Sequence, residues 1–178
     1  KSVKTIVSRY SKSLVFEAIQ REFYRDGQVF YLLNNVSMLE EKKKEISDRF
    51  PEKKVAFAHG QLRPKELSKV MESFIRKEID LLVCTTIIES GIDIENANTL
   101  IVEESENYGL SQLHQIRGRV GRSKREAYAY FFLNENKELK NKASERIEAL
   151  QENESLLSGF SLAMRDLEIR GAGELLSL

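Results

Sequence analysis

The chain has 178 residues, of which 41% are hydrophobic, and its 28 basic and 28 acidic residues give a formal net charge of zero. These values are typical of a globular chain with a sizeable core and exclude a disordered one. Bulk charge gives no sign of nucleic-acid binding. No signal peptide or long apolar span is visible in the sequence, which predicts a soluble, intracellular protein. Because the chain begins with Lys1 and not with Met, we expect a piece of a longer protein.

Cysteine and histidine are scarce in this sequence. The single cysteine, Cys84, excludes an internal disulfide and fits a reducing compartment. It lies in an apolar run, so we expect it to be a small buried core residue. His59 and His114 have no second candidate ligand at a spacing that would hold zinc, and the sequence predicts no metal site.

Short apolar runs alternate with amphipathic helical segments as far as residue 133. The runs are apolar throughout, as in strands that are covered on both faces of a parallel sheet. Their alternation with helices indicates βαβ units, so the predicted fold class is α/β, a parallel sheet flanked by helices. The predicted strands are Val3–Val7 (at an edge), Gln28–Leu33, Lys54–Ala58, Asp80–Cys84, Thr99–Val102 and Ala127–Leu133.

Helices are predicted in the segments between these strands. Ser13–Arg25 carries apolar residues on one face. Ser37–Phe50 begins with a capping box, formed by its first serine and Glu40. Pro64 suits the first position of a third helix, and a further helical segment begins near Leu110. The apolar stripe of the third helix comprises Leu67, Val70, Met71, Phe74 and Ile75.

The sequence pattern changes after Leu133. Asn134 is placed to cap a long helix that runs to about Glu154. A second helical stretch follows Gly159 and stops near Arg170. We therefore divide the chain into a sheet domain, residues 1–133, and an appended C-terminal helical hairpin, residues 134–178.

Four polar clusters lie at or beyond the ends of predicted strands. They are Asn34–Asn35, His59–Gln61, Thr85–Thr86 together with Glu89–Asp93, and an arginine segment, Gln115–Arg122. In open α/β sheets, ligands bind outside the carboxyl ends of the strands. We therefore expect the four clusters to share that edge of the sheet.

The arginine segment contains three arginines and two glycines in eight residues. The arginine fork matches a phosphate edge, and glycine lets the backbone approach a ligand closely. An arginine supplied across an interface can stabilise the charge that develops in phosphoryl transfer. The alternative is a basic helix end that faces solvent, since cations suit a helix C-terminus. These eight residues alone do not decide between the two interpretations.

The other polar residues also have two interpretations each. His59 suits a general base or a ligand, but a histidine beside glycine is more often a hydrogen-bonded turn residue. Thr85 and Thr86 can donate to a phosphate or cap the turn after their strand. Asp93 can accept from a sugar hydroxyl or pair with an arginine, or it can form a local turn.

In their order along the chain, the clusters resemble the second RecA-like motor domain of superfamily 2 helicases and translocases. The pattern of the arginine segment is typical of the superfamily. The stretch Asp166–Leu176 is similar to the branch-migration helicases and to the translocases that couple DNA repair to transcription, and its Ala-Gly-Glu-Leu-Leu form favours the latter. The other matching stretches are Gly27–Leu33, Ala58–Leu62, Leu82–Ile94, Asn96–Ile101 and Gly109–Ser123.

The resemblance implies a nucleotide site that is shared with another domain. Arg122 would be the arginine finger, and Arg119 its companion on the γ-phosphate or on an acid across the cleft. Gly91, Asp93 and Gln115 would lie near the nucleotide. The sequence lacks a G-x-x-x-x-G-K-[ST] phosphate loop and an acidic Mg²⁺ box. ATP and Mg²⁺ would therefore be bound mainly by a first RecA-like motor domain of the full-length protein. We expect the isolated chain to bind no cofactor and to hydrolyse no ATP.

The resemblance also implies contacts with DNA and a coupling element. The helical hairpin would couple hydrolysis to movement on the duplex. The residues expected to contact the DNA backbone are Thr85, Thr86, His59, Gly60 and Asn34. The candidate coupling arginines are Arg146 and Arg170.

The implied function is that of the C-terminal half of an ATP-dependent double-stranded DNA translocase, which couples repair to transcription by acting on stalled RNA polymerase. Its partners would be double-stranded DNA, the first motor domain of the same chain, and RNA polymerase and repair proteins through other domains. It would work in the bacterial cytoplasm, away from membranes. The alternatives are a branch-migration helicase domain, a non-catalytic nucleic-acid-binding or protein-docking module, and half of an RNA helicase. The stretch Asp166–Leu176 argues against the last.

Overall fold

In the computed structural model, which describes residues 3–85, 96–121 and 124–134, six parallel strands form one sheet. Their spatial order is β1-β6-β5-β2-β4-β3, so β1 and β3 are the two edges. The strands are β1 (Val3–Arg9), β2 (Gln28–Leu32), β3 (Val55–Ala58), β4 (Leu81–Cys84), β5 (Ala97–Val102) and β6 (Ala127–Leu133).

Helices cover both faces of this sheet. Helices α1 (Lys12–Tyr24) and α2 (Val36–Arg49) pack on one face, and α3 (Pro64–Ile75) and α4 (Leu110–Arg117) pack on the other. A short 3-10 helix, Ser105–Asn107, joins β5 to α4. Each face therefore buries its own apolar cluster, which explains why the central strands carry apolar residues toward both faces. None of the helices in the described ranges is long and apolar enough to span a bilayer.

The predicted α/β class and the parallel sheet are confirmed, and each predicted strand is found within two residues of its expected bounds. The first strand is an edge strand, as expected. Cys84 is fully buried in the core, as its apolar surroundings predicted. The hairpin predicted for residues 134–178 lies, except for its first residue, outside the described residues.

Two details of the predicted helices are wrong. The N-cap of α2 is Asn35 and not Ser37, because the helix begins at Val36. The Ser37 hydroxyl donates to the Asn35 side chain (2.7 Å), so the predicted capping box does not form. In α3, Met71 and Phe74 are buried, but Ile75 is 53% exposed because it ends the helix on the solvent side of the apolar stripe.

A buried carboxylate joins α1 to the amino edge of the sheet. The Glu22 side chain accepts from the Arg25 guanidinium (2.6 and 3.2 Å) and from the Thr99 hydroxyl of β5. It occupies the space above Gly27, where a Cβ atom would lie 1.8 Å from the Glu22 Oε2 atom. The glycine before β2 is therefore required by this ion pair, and its φ angle is not the reason.

Replacing Gly27 with alanine is expected to lower the free energy of unfolding by about 1–3 kcal/mol, because the added methyl group displaces the Glu22 carboxylate from its partners. Chemical denaturation measures the change. Gly118→Ala is the matched control, since a Cβ there meets its nearest atom, a carbonyl oxygen, at 3.4 Å and the residue has φ −67°. Equal stability of the two variants would contradict this explanation of Gly27.

A second buried ion pair lies at the opposite, carboxyl edge. The Lys42 ammonium group of α2 contacts the Glu103 carboxylate after β5 (3.1 Å) and the Tyr10 hydroxyl (3.1 Å). Glu103 also accepts a hydrogen bond from the Tyr31 hydroxyl. Burial opposes the charged form of Lys42, but the Glu103 carboxylate and the Tyr10 hydrogen bond outweigh it and raise the pKa of Lys42. Burial, reinforced by Glu103, raises the pKa of Tyr31 well above its ordinary value.

Candidate nucleic-acid and nucleotide sites

Three of the predicted polar clusters follow neighbouring strands. Asn34, Thr85 and His59 come directly after the carboxyl ends of β2, β4 and β3, which are adjacent in the sheet in that order. Asn34 and Gly60 are exposed, His59 is half-buried and Thr85 is buried. The expectation that these clusters share one edge is confirmed for these residues.

The His59 ring is held in a fixed orientation by the turn that contains it. Its Nδ1 atom accepts a hydrogen bond from the Gln61 backbone N–H (3.1 Å), and the ring stacks on Phe57 with 6.3 Å between centroids. A neutral imidazole that accepts at Nδ1 carries its proton on Nε2. The prediction of a hydrogen-bonded turn residue is therefore confirmed. The same geometry leaves the Nε2–H group as a donor to an acceptor such as a phosphate oxygen.

The Thr85 side chain is buried and has a polar group without a hydrogen bond. Thr85 is 3% exposed, and its hydroxyl has no hydrogen-bond partner among the described residues. Buried hydroxyls are almost always hydrogen-bonded, so such a group at the edge of a site needs an explanation. It does not cap the turn after β4 through any described residue. The hydroxyl is therefore a buried donor that no described residue uses.

Two helices begin at this same edge without a side-chain cap. The N-cap residues of α2 and α3 are Asn35 and Arg63, and neither makes a side-chain cap hydrogen bond. The amino end of a helix carries a partial positive charge and unpaired N–H groups. Because α2 follows β2 and α3 follows β3, the two amino ends lie on either side of β4, the strand that Thr85 follows. The backbone of these two helix ends therefore contributes positive potential to the edge.

The arginine segment lies elsewhere, and the expectation that all four clusters share the carboxyl edge is wrong. Helix α4 carries the chain back from β5 toward the start of β6, as the helix of a βαβ unit must. Gly121 contacts Val3 and Ala127, the first residues of β1 and β6. Since β6 has seven residues, the two edges are roughly 20 Å apart, at about 3.3 Å per residue. The segment therefore reaches the amino edge of the sheet.

The two described arginines of this segment, Arg117 and Arg119, have different surroundings. Arg117 is fully buried, and its guanidinium group donates to the Thr5 hydroxyl (3.0 Å) and lies 3.4 Å from His114 Nδ1. Burial and the neighbouring Arg117 charge lower the pKa of His114. Arg117 is thus a structural link between α4 and β1. The alternative of a solvent-facing basic helix end is wrong for this arginine.

Arg119 differs from Arg117 in both exposure and partners. It is half-buried, and within the described ranges it makes no ion pair. Its Nε atom is buried and has no hydrogen-bond partner among those residues. A half-buried guanidinium group without an ion pair is chemically suited to bind an anion, unlike that of Arg117. Gln115, one turn before it, is exposed.

Gly121 fixes the path of the chain after Arg119. Its φ is +78°, and a Cβ atom would lie 2.9 Å from a Val3 methyl group. Both the positive φ and the close packing require glycine here. Val120, the residue before it, is fully buried. The backbone on both sides of Arg119 is therefore anchored to the sheet.

Several predicted site residues lie outside the described residues, so the structure does not place them. These are Thr86, Glu89, Gly91, Asp93, Arg122, Arg146 and Arg170. Within the described ranges there is no group of three or more His, Cys, Asp or Glu side chains that could hold a metal ion. Sequence patterns did not predict the burial of Arg117 or the lack of side-chain caps on α2 and α3. Neither feature has a signal in the nearby sequence.

The fold and these sites define a class of protein. Residues 12–124 match the family model of the helicase conserved C-terminal domain, and the chain belongs to this family. It is 52% identical over 174 residues to the transcription-repair-coupling factors of Staphylococcus haemolyticus (strain JCSC1435) and Staphylococcus aureus (strain USA300). That similarity covers 98% of this chain but only 15% of the coupling factors. The chain is homologous to that region of these proteins.

Solved structures show the same RecA-like helicase C-terminal fold. RecG bound to a three-way DNA junction has a TM-score of 0.81 and 35% identity, over 98% of this chain and 23% of RecG. The C-terminal domain of the DEAD-box protein Dbp5 has a TM-score of 0.61 and 16% identity, over 85% of this chain and 84% of that domain. The second likeness supports the fold alone.

Proposed function

We propose that the chain is the second motor half of an ATP-dependent double-stranded DNA translocase, which couples DNA repair to transcription by acting on stalled RNA polymerase. The 52% identity to transcription-repair-coupling factors over nearly the whole chain supports the repair role. Arg119 is half-buried, and among the described residues it makes no ion pair in an otherwise anchored segment; this is the observation that carries the motor role. The proposal requires a longer polypeptide that also contains the first motor domain, and "full-length protein" refers to it below.

The arginine segment would complete a nucleotide site between two domains. Arg122 acts as the arginine finger and Arg119 as its companion, with Gly91, Asp93 and Gln115 beside the nucleotide. ATP and Mg²⁺ supply the transferable phosphoryl group and its counter-charge, and they are held mainly by the first motor domain. Closure of the two domains brings the guanidinium groups onto the γ-phosphate, so hydrolysis depends on closure. The isolated chain is inactive on this proposal.

The carboxyl edge would hold the DNA backbone. The Thr85 hydroxyl, the His59 Nε2–H group and the uncapped amino ends of α2 and α3 all present donors there, and Asn34, Gly60 and Thr86 complete the set. Donors of this kind bind phosphates at helix amino ends and do not read base sequence. DNA would therefore be bound at the opposite end of the strands from the arginine segment. The hairpin, with Arg146 and Arg170, would convert closure into movement along the duplex.

A second candidate function is a branch-migration helicase domain. It is favoured by one observation, the TM-score of 0.81 and 35% identity to RecG, whose structure holds a three-way DNA junction. The two functions differ in their preferred DNA. A coupling translocase acts on linear duplex, whereas a branch-migration enzyme requires a junction for full ATP turnover. Comparing ATP turnover of the full-length protein on these two DNAs discriminates between them.

Replacing Thr85 with valine tests the proposed contact between the carboxyl edge and DNA. The change removes a hydroxyl that has no described partner and keeps the side-chain shape, so stability should be unchanged or higher. A hydrogen bond to a charged phosphate is lost, and we expect the affinity of the full-length protein for duplex DNA to fall about tenfold on every sequence. Fluorescence anisotropy measures it.

The control for this variant is Lys77→Asn, which removes an exposed cation at the opposite edge, after α3. Asparagine is chosen because it tolerates the positive φ of 67° at this position. The control should bind DNA as the unmodified protein does. A Thr85→Val protein of normal stability and normal DNA affinity would remove this hydroxyl from the interface.

A further inference from the structure

A groove lies on the sheet face opposite the arginine segment, at the amino edge. It is formed by the last turns of α1 and by the turn that joins α2 to β3, and it encloses about 370 Å³. This volume lies in the range of sites that bind a ligand or a side chain of a partner. The motor function proposed above uses none of its residues.

The floor of the groove is aromatic and preformed. Phe23 and Phe50 pack edge to face with 5.3 Å between ring centroids, and Phe16 supports Phe50 from behind at 6.1 Å. Tyr24 stands at the side of the groove and is 91% exposed, the most exposed large apolar side chain among the described residues. An exposed tyrosine beside a rigid apolar groove is typical of a protein-binding site.

Two cations flank this floor and lack carboxylate partners. The Arg49 guanidinium group lies 5.1 Å from the Phe50 ring centroid, and the Lys53 ammonium group lies 5.2 Å from that of Phe23. Neither makes an ion pair in the part of the chain that the structure describes, although other exposed cations, such as Lys44 with Asp48, do so. Glu52 is the single acid that lines the described groove, so its charge balance is positive.

We propose that this groove docks an acidic, aromatic-containing peptide segment of a partner protein. One large apolar side chain of the segment fills the groove against Phe23 and Phe50, and its neighbouring carboxylates pair with Arg49 and Lys53. Single-stranded nucleic acid fits less well. A stacked base needs a whole open ring face, whereas an apolar side chain needs only the part of the Phe50 ring that stays exposed beside the Arg49 cation. Glu52 also repels a phosphate chain.

Selection of a random dodecapeptide phage library on the full-length protein tests the proposal. We expect enriched peptides to carry Asp or Glu beside Phe, Tyr, Trp or Leu. Synthetic copies should bind in fluorescence polarisation, and the double variant Arg49→Glu, Lys53→Glu should weaken binding by at least tenfold. The same double variant should bind a probe in which the acids are replaced by lysine, since the charge complementarity is then restored. Tyr24→Ala should weaken binding several-fold.

Lys44→Glu is the matched control, because it reverses an exposed cation of α2 outside the groove. It should bind the acidic peptides normally. Peptide enrichment equal to that on the double variant, a basic consensus, or displacement of the peptide by oligo-dT would each overturn the proposal. ATP turnover and DNA affinity of the groove variants should stay unchanged. A failure of the docking proposal can therefore be distinguished from a failure of the proposed motor function.

Discussion

Replacing Arg122 with alanine in the full-length protein is expected to lower ATP turnover by about 10³–10⁵-fold, the range for removal of an arginine finger. The charge that develops on the transferred phosphoryl group would lose the cation that the arginine finger supplies. Arg119→Ala should also be strongly impaired, because its unpaired Nε atom lies in the same anchored segment. Steady-state hydrolysis at saturating ATP and duplex DNA measures both losses.

DNA affinity provides the internal check on this prediction, since the arginine segment and the carboxyl edge are at opposite ends of the strands. Both variants should bind duplex DNA normally. Arg76→Ala, an exposed arginine paired with Glu72 on α3, is the control and should hydrolyse ATP at the normal rate. Near-normal turnover of Arg122→Ala would remove this residue from the catalytic role.

Replacing Lys42 with methionine is expected to lower the free energy of unfolding by about 1–3 kcal/mol, because it leaves the half-buried Glu103 carboxylate without its cation and with only the Tyr31 hydroxyl as donor among the described residues. Methionine keeps most of the side-chain length, so the loss reports the charge and not the packing. Urea denaturation monitored by circular dichroism measures the change. Lys44→Met, two residues along the same helix, removes an exposed ion pair with Asp48 and should leave stability unchanged.

The Lys42 cluster also predicts the effect of high pH. The folded pKa of Lys42 is raised above its ordinary value of 10.5 and that of Tyr31 above 10.0, so above pH 10 the folded state holds more protons than the unfolded state. The stabilisation is therefore complete below about pH 10 and is lost as the pH rises through the folded values. Lys42→Met should flatten this loss. A Lys42→Met protein as stable as Lys44→Met would contradict the cluster's role.

The sequence predicts the strands of this fold well because the signal is local. The run Val29–Leu33 is apolar at every position, and a parallel sheet covered on both faces buries such a strand completely. The same holds for Cys84, whose burial follows from the run that contains it. Helix ends are less certain. Asn35 and Ser37 are both residues that can cap α2, and which of them does so depends on the residue at which β2 ends.

The candidate site could be predicted only in part. Asn34, His59 and Thr85 follow strands, so topology places them at one edge. The position of the arginine segment depends on the direction in which α4 returns, and the roles of its arginines depend on a distant residue. Arg117 is buried because Thr5, more than a hundred residues away, accepts from it. Spacing within eight residues contains no information about that contact.

On the proposed function, one domain would serve two ligands. The carboxyl edge would offer phosphate donors with little side-chain charge, which suits a nucleic-acid backbone that is released and bound again. The arginine segment is held rigidly through Val120 and Gly121, which suits a group that must meet a reacting phosphate without rearrangement. A rigid sheet lies between them, so closure at one edge moves the other edge as a body.

A structure of the full-length protein with duplex DNA and ADP–aluminium fluoride would test the shared nucleotide site most directly. We expect the Arg119 and Arg122 guanidinium groups to lie about 3 Å from the fluoride ligands, with the adenine nucleotide held by the other motor domain. A closed, nucleotide-bound state in which both guanidinium groups point away from the fluoride would contradict the account.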